Sequence, residues 1–284
     1  MRIEARQVSY RYELPGDEWA VRDVSLVIEQ GEKIAITGAA GSGKTTLIEM
    51  LDALILPSKG DILFDGVGVR RLAKAKRLTD VRRRIGVLFQ FPEHQFFQDT
   101  AYDELAFAMR NFLGPDEERI AARATEILTK FHMDVDRLRH ISPFNLSSGE
   151  KRKLALASAL MPAPEVLILD EPTAGMDAMA RRELLRLIES LEGTTVIIVT
   201  HNLEDFLPIV DRIIGLAAGE KVLDTPRPET LEDIERMAAD GMKAPLVFEV
   251  QAWMKREGVT LGRVCYEMES LIAELKMAVS RGSG

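Results

Sequence analysis

KIAITGAAGSGKTT, residues 33–46, decides how the rest of this sequence is read. Lys33 to Thr37 is a short apolar run with the length of a buried strand. Gly38-Ala39-Ala40-Gly41-Ser42-Gly43-Lys44-Thr45 then fits the spacing G-x-x-x-x-G-K-[ST], and Thr45 to Leu54 reads as a helix. Strand, glycine-rich turn and helix N-terminus together make a phosphate cradle. The glycines let successive backbone N–H groups turn towards phosphate oxygens, and the helix end adds partial positive charge. Lys44 is placed to reach β- and γ-phosphates, and the Thr45 hydroxyl to ligate Mg²⁺. Ala39 and Ala40 stand where the pattern leaves the residue free. Kinases, GTPases and motor ATPases all use such a loop, so the second half of the chain must discriminate among them.

Val166-Leu167-Ile168-Leu169-Asp170-Glu171-Pro172 is an apolar strand ending in two acids. In an open α/β sheet the C-terminal ends of such strands emerge where ligands bind, beside the phosphate loop. Asp170 suits Mg²⁺, directly or through water. Glu171 suits the base that orients and deprotonates an attacking water. Around this strand, elements alternate: helix 178–191, strand 195–199, a short helix after Asn202, and strands near 212–216 and 221–223. The alternation predicts an α/β fold with a mostly parallel sheet covered by helices.

Residues 1 to 30 read as strands with a turn at Pro15-Gly16, and 61 to 65 as a strand closed by Asp65-Gly66. Gly86 to Gln90 is a further strand. Ala101 to Asn111 and Asp116 to Phe131 carry helical apolar spacing, and a Ser/Gly break at Asn145 to Gly149 precedes a helix over Lys151 to Leu160. Thr225 to Pro228 holds two prolines and reads as a boundary. Residues 229 to 279 then read as helices only, interrupted near Pro245 and at Gly258, with Arg281-Gly282-Ser283-Gly284 as a flexible tail.

At 284 residues, with 46% hydrophobic and 29% charged content, the chain has material for one large domain or for one domain plus an appendage. A net charge of −8 argues against a general nucleic-acid binder. The single cysteine, Cys265, reads as a small buried residue. The N-terminal residues lack the apolar core of a signal peptide. The longest apolar runs fall far short of the ~18 residues of a membrane span. A cytoplasmic protein is expected, reaching a membrane only through partners.

Leu146-Ser147-Ser148-Gly149-Glu150, followed by Lys-Arg-Lys, resembles the LSGGQ-type signature of ABC ATPases, and it lies between the phosphate loop and the acidic strand in that family's order. Gln90 stands at the family's Q-loop glutamine, Ala174-Gly175-Met176-Asp177 at its D-loop, His201 at its switch histidine, and Tyr12 at the aromatic that stacks on adenine. The resemblance runs from the N-terminus to about residue 224. It implies a P-loop NTPase fold with a mainly parallel core sheet, an N-terminal antiparallel β subdomain, a helical signature subdomain near 92–161, and a C-terminal helical extension over 225–284. It implies ATP and Mg²⁺ as cofactors. Gly38 to Thr46 and Tyr12 would hold the nucleotide, and Thr45, Gln90 and Asp170 the metal. Glu171, Gln90 and His201 would act in catalysis. Ser147, Ser148 and Gly149 would meet the γ-phosphate bound to a second subunit, so that ATP joins two chains head to tail. One departure is plain: Ser148 stands at the family's first signature glycine, which puts a Cβ and a hydroxyl close to that phosphate.

FQFPEHQFF, residues 89–97, holds four of the eleven Phe residues. With Asp99-Thr100 after it, this wording resembles the A-type ATPases of energy-coupling factor (ECF) importers of vitamins and transition-metal ions. In ABC transporters the groove beside the Q-loop receives a coupling helix from a membrane subunit. The resemblance therefore implies docking at Phe91, Glu93, Phe96 and Phe97, a separate substrate-binding membrane subunit, a homodimer or a heterodimer with a paralogous ATPase, and a C-terminal extension that helps hold the pair together. Two alternatives stand beside it: the ATPase of a conventional binding-protein-dependent importer, and a soluble ABC ATPase acting on nucleic acid or ribosomes. The basic run over 70–84 reads as a solvated face.

Overall fold

The computed structural model describes residues 1–13, 18–259 and 261–282, so the expected Pro15-Gly16 turn and the last two residues of the expected tail lie outside the described residues. Among the described residues ten strands follow in order: β1 (Ile3–Tyr10), β2 (Val21–Ile28), β3 (Lys33–Thr37), β4 (Lys59–Phe64), β5 (Val67–Gly68), β6 (Ile85–Leu88), β7 (Val166–Asp170), β8 (Thr195–Val199), β9 (Arg212–Ala217) and β10 (Glu220–Pro226). They form an antiparallel sheet ordered β2-β1-β4-β5 and a six-stranded sheet ordered β10-β9-β3-β8-β7-β6. In the larger sheet every pairing is parallel except that of β9 with β10. Its central strands are apolar on both faces, with β8 buried along its whole length, as expected of a parallel sheet covered on both sides.

The phosphate-loop helix α1 (Lys44–Leu51) follows β3, and the short α2 (Val69–Lys74) and α3 (Leu78–Arg82) lead into β6. A helical lobe of α4 (Ala101–Leu113), α5 (Glu117–Lys130), α6 (Val135–Leu138) and α7 (Ser148–Leu160) comes next. Side chains cap each of its helices: Thr100, Asp116, Asp134 and Ser147 accept backbone N–H groups of the first turn. Ser147 and Glu150 form a reciprocal capping box, which is why α7 begins three residues before the expected Lys151.

After α8 (Ala178–Ser190), β8, β9 and β10, the chain closes with α9 (Ile234–Ala239), α10 (Leu246–Arg256) and α11 (Met268–Gly282). The prolines near 226 lie at the end of a strand and in the turn after it. β10 pairs with β9 through Thr225 and Pro226, on a sheet edge where a missing N–H is tolerated, and a 3-10 turn over Arg227–Glu232 follows directly. Met237, Met242, Val247, Phe248, Cys265 and Leu271 of the extension are buried in the same cluster as Phe206, Leu207, Val210 and Leu223. The basic run is more than a solvated face. Arg70 donates to the carbonyls of Pro57 and Ser58, Arg82 to that of Ala53, and Arg84 pairs with Glu165 and Asp65, while Arg71, Lys74, Lys76 and Arg83 stay exposed.

The extension holds its own shape through one buried amide. Gln251 Nε2 donates to the carbonyls of Val247 at 2.9 Å and Cys265 at 2.7 Å, and its Oε1 accepts the Cys265 N–H at 2.8 Å. Gln251→Leu leaves both backbone groups of Cys265 without that partner, so a loss of about 2 kcal/mol is expected in urea unfolding.

Candidate functional site

Four parallel strands end level with one another. Leu88 of β6 pairs with Leu169 of β7, Asp170 of β7 with Val199 of β8, and Val199 with Ile36 of β3. Gln90, Asp170 with Glu171, Thr200 with His201, and the loop after Thr37 therefore all leave the sheet along one edge. Two backbone bonds extend the register beyond the strands, from Glu171 N–H to the Val199 carbonyl at 2.8 Å and from Thr200 N–H to the Ile36 carbonyl at 3.1 Å.

The phosphate loop needs its glycines where the backbone is crowded. A Cβ at Gly38 would lie 2.2 Å from the Leu216 carbonyl oxygen, and one at Gly43, where φ is +98°, 2.3 Å from that of Ala20. Ala39, Ala40, Gly41 and Thr45 are exposed, while Thr46 is buried and bonds its hydroxyl to that of Tyr12 at 3.0 Å. That bond sets Tyr12, itself half-exposed and edge-on to Tyr10, beside α1. Lys44 Nζ donates to the Gly38 and Ala39 carbonyls, each at 2.9 Å, and burial lowers its pKa. The Ser42 hydroxyl is buried with no partner among the described residues. An idle hydroxyl and an ammonium turned onto its own loop fit a site built for phosphate oxygens.

The acids answer this charge. Burial first, and then the neighbouring Glu171, push the Asp170 carboxyl up to about 6, with Lys44 opposing. A half-buried carboxylate lacking a full counter-charge suits a cation. Glu171 sits in the left-handed region, at φ +47°, which turns its side chain from the strand towards β8. Its Oε1 accepts the His201 backbone N–H at 2.9 Å and lies 2.7 Å from His201 Nδ1, and its Oε2 accepts the Thr200 hydroxyl at 3.2 Å. The His201 ring is otherwise largely exposed.

A second cluster forms beside this edge. Gln90, Phe91, Glu93, Ser148, Gly149, Ala174, Gly175, Met176 and Asp177 line a cavity of about 380 Å³, to which the phosphate loop contributes no residue. The signature thus joins the segments after β6 and β7, and Ser148 and Gly149 open their N–H groups at the start of α7. Asp177 accepts the N–H groups of Met179 and Ala180 and starts α8.

Sequence comparison gives this geometry a family. The profile described as ABC transporter matches residues 21–174. The chain belongs to that family. Energy-coupling factor transporter ATP-binding protein EcfA2 of Thermotoga maritima is 41% identical over 82% of this chain and 85% of its own. The protein of the same name in Clostridium perfringens is 36% identical over 92% of each chain. Among solved structures, cbiO1 of Clostridium perfringens, part of the ABC transporter complex cbiONQ, superposes with a TM-score of 0.71 at 29% identity, over 88% of this chain and 98% of that one. The ATP-binding cassette MJ0796, in a dimeric post-hydrolysis state bound to ADP and Pi, gives a TM-score of 0.72 at 28% identity, over 79% of this chain and 98% of that one. This ABC ATPase is therefore of the ECF type, and its reaction is ATP hydrolysis.

One expectation is corrected. Phe96 does not line the surface beside Gln90: it is buried in the helical lobe's core, while Phe91 and Phe97 are more than half exposed. The buried Glu104 accepts the N–H groups of Phe97 and Gln98, each at 2.9 Å, which turns the loop so that neighbouring aromatics face opposite ways. Sequence reasoning also missed Thr200 on Glu171, and Asp205, which accepts from the Thr173 hydroxyl and from Arg181, each at 2.9 Å. Asp205 carried a faint signal as an acid four residues after His201.

Asp52, at the C-terminus of α1, is pushed up to about 7 by burial, with Glu49 adding and Arg82 opposing. Its folded pKa exceeds its unfolded one, so its contribution to stability is full below about pH 4 and is lost as pH rises through about 7. Asp170 acts in the same direction. The nucleotide-free chain should therefore melt at a lower temperature at pH 8 than at pH 5.5, and Asp52→Asn should flatten that difference in a thermal melt.

Proposed function

We propose that this ATPase is the motor of an ECF importer for vitamins or transition-metal ions, working as a dimer whose ATP-driven closure moves a membrane subunit. The observation that carries this reading is the exposure of Phe91 and Phe97 directly after the Q-loop. Phe97 meets Phe107 edge-on at 4.7 Å, and Phe107 and Phe112 are themselves exposed, so an apolar patch adjoins a segment tied to the nucleotide edge. Contiguous exposed aromatics are the usual mark of an interface, and an amphipathic helix from a membrane subunit would suit this one. Glu93 is exposed there and available to a basic residue.

In this reading Gly38 to Thr46 hold the phosphates, and Tyr12 meets the adenine. Thr45, Gln90 and Asp170 would hold Mg²⁺, which would supply charge neutralisation for phosphoryl transfer. Glu171 orients the attacking water and takes its proton, and His201, already on Glu171, steadies both. Ser147, Ser148 and Gly149 offer their helix N-terminus to the nucleotide of the second subunit, a copy of this chain or a paralogue. Residues 1–224 act as the nucleotide-binding domain, with 92–161 as its helical part. The extension from 225 contributes to the dimer contact, where Trp253, Ile272 and Met277 are exposed. Among the described residues no helix is long and apolar enough to cross a membrane. In this reading the chain sits on the cytoplasmic face through partners, among them a separate substrate-binding membrane subunit.

Glu171→Gln should bind ATP and accumulate as a closed dimer with turnover reduced at least about a hundredfold, as seen by size-exclusion chromatography and phosphate release. Unchanged turnover would remove Glu171 from the role of base. Phe97→Asp should leave melting and basal ATPase near the parent's while abolishing co-purification of membrane subunits from detergent extracts. Recovery of a multi-pass scaffold with a small substrate-binding protein supports the ECF reading; recovery of paired permeases points to a conventional importer.

A further inference from the structure

Arg152 lies on α7 three residues beyond Gly149, with only 8% of its surface exposed. Its guanidinium donates to the backbone carbonyl of Gln90 at 3.0 Å and, at closer range, to that of Ala174. One side chain of the signature helix therefore grips the Q-loop on one hand and, on the other, the turn three residues after Glu171. Both acceptors are main-chain atoms, so the grip fixes the path of each loop whatever its side chains do. The guanidinium is a rigid planar fork, and its two bonds lock the relative position of their acceptors in a way that a flexible ammonium does not. Withdrawing either carbonyl would leave a buried charge short of a partner, which makes separate movement of the two loops unfavourable. Burial lowers the pKa of the Arg152 guanidinium, and Glu93, in the exposed stretch after Gln90, is the charge that opposes this.

We propose that Arg152 is a positioning residue that makes the signature turn, Gln90 and the Ala174 turn move as one body. This rests on the reading of Gln90 as a contact of MgATP. Its consequence is that engagement of Gln90 by the nucleotide in its own subunit and presentation of Ser148 and Gly149 to the partner's nucleotide are a single event. A push on Phe91 reaches α7 by the same route, because Phe91 adjoins Gln90. The bland alternative is that Arg152 only fills space and contributes to stability.

The purified full-length chain with MgATP separates these. Parent, Arg152→Lys, Arg152→Met and Gln90→Ala are compared for ATP affinity, kcat, KM and melting temperature. Arg152→Met should bind ATP within about twofold of the parent yet turn over about tenfold more slowly or worse, with Arg152→Lys between them. A parent-like kcat in Arg152→Met beside a slow Gln90→Ala overturns the proposal and leaves Gln90's role standing. Parent-like kcat in both variants sinks the reading of Gln90 and the proposal with it. Activity that falls only in step with the folded fraction, kcat per folded molecule being unchanged, also overturns it.

Discussion

The in-register parallel ladder of β6, β7, β8 and β3 is the constraint on which every group at the nucleotide edge depends. Each strand is buried on both faces, so alternation of polar and apolar side chains does little to fix the register. The pairings of Leu88 with Leu169 and of Val199 with both Asp170 and Ile36 must do so. A slip of one residue would shift one loop by about 3.3 Å along its strand axis and turn its side chains to the opposite face. Glu171 would then lose His201, and Lys44 would no longer feel Asp170. The backbone bonds that continue past the strand ends, at Glu171 and Thr200, guard against such a slip where it would matter most.

On that frame the charges are held in reserve rather than satisfied. Lys44 rests on carbonyls of its own loop, the Ser42 hydroxyl is idle, Asp170 is raised by burial, and Glu171 is engaged by Thr200 and His201. Phosphate oxygens and a divalent cation would complement these groups together.

Much of this was legible in the sequence, for physical reasons that differ from place to place. β3, β7 and β8 match their expected bounds because short apolar runs closed by glycine, acids or Thr-His leave a buried strand little latitude. The phosphate loop was legible because crowding at Gly38 and Gly43 excludes a side chain. Arg152 was not, because a Lys-Arg-Lys run reads as solvated surface. Its helical phase, four residues before Leu156 and eight before Leu160, was the available clue. Phe96 and Phe97 looked equivalent, since the carboxylate that separates them, Glu104, lies on the next helix. The prolines near 226 read as a boundary, and the sequence carried no sign that Pro226 also ends an edge strand.

The sharing of one core by the ATPase unit and the last three helices has a consequence for biosynthesis. A growing chain adds the nucleotide-edge segments up to His201 first, Phe206, Leu207 and Val210 next, and their cluster partners Met237, Val247 and Phe248 only later. Domains emerge and fold from the N-terminus as units, and exposed apolar surface on an incomplete unit is open to aggregation and to chaperones. Closure of this core waits for residues out to Leu271. The helices after β10 are thus part of the ATPase's own core, and the nucleotide edge is framed before that core is covered.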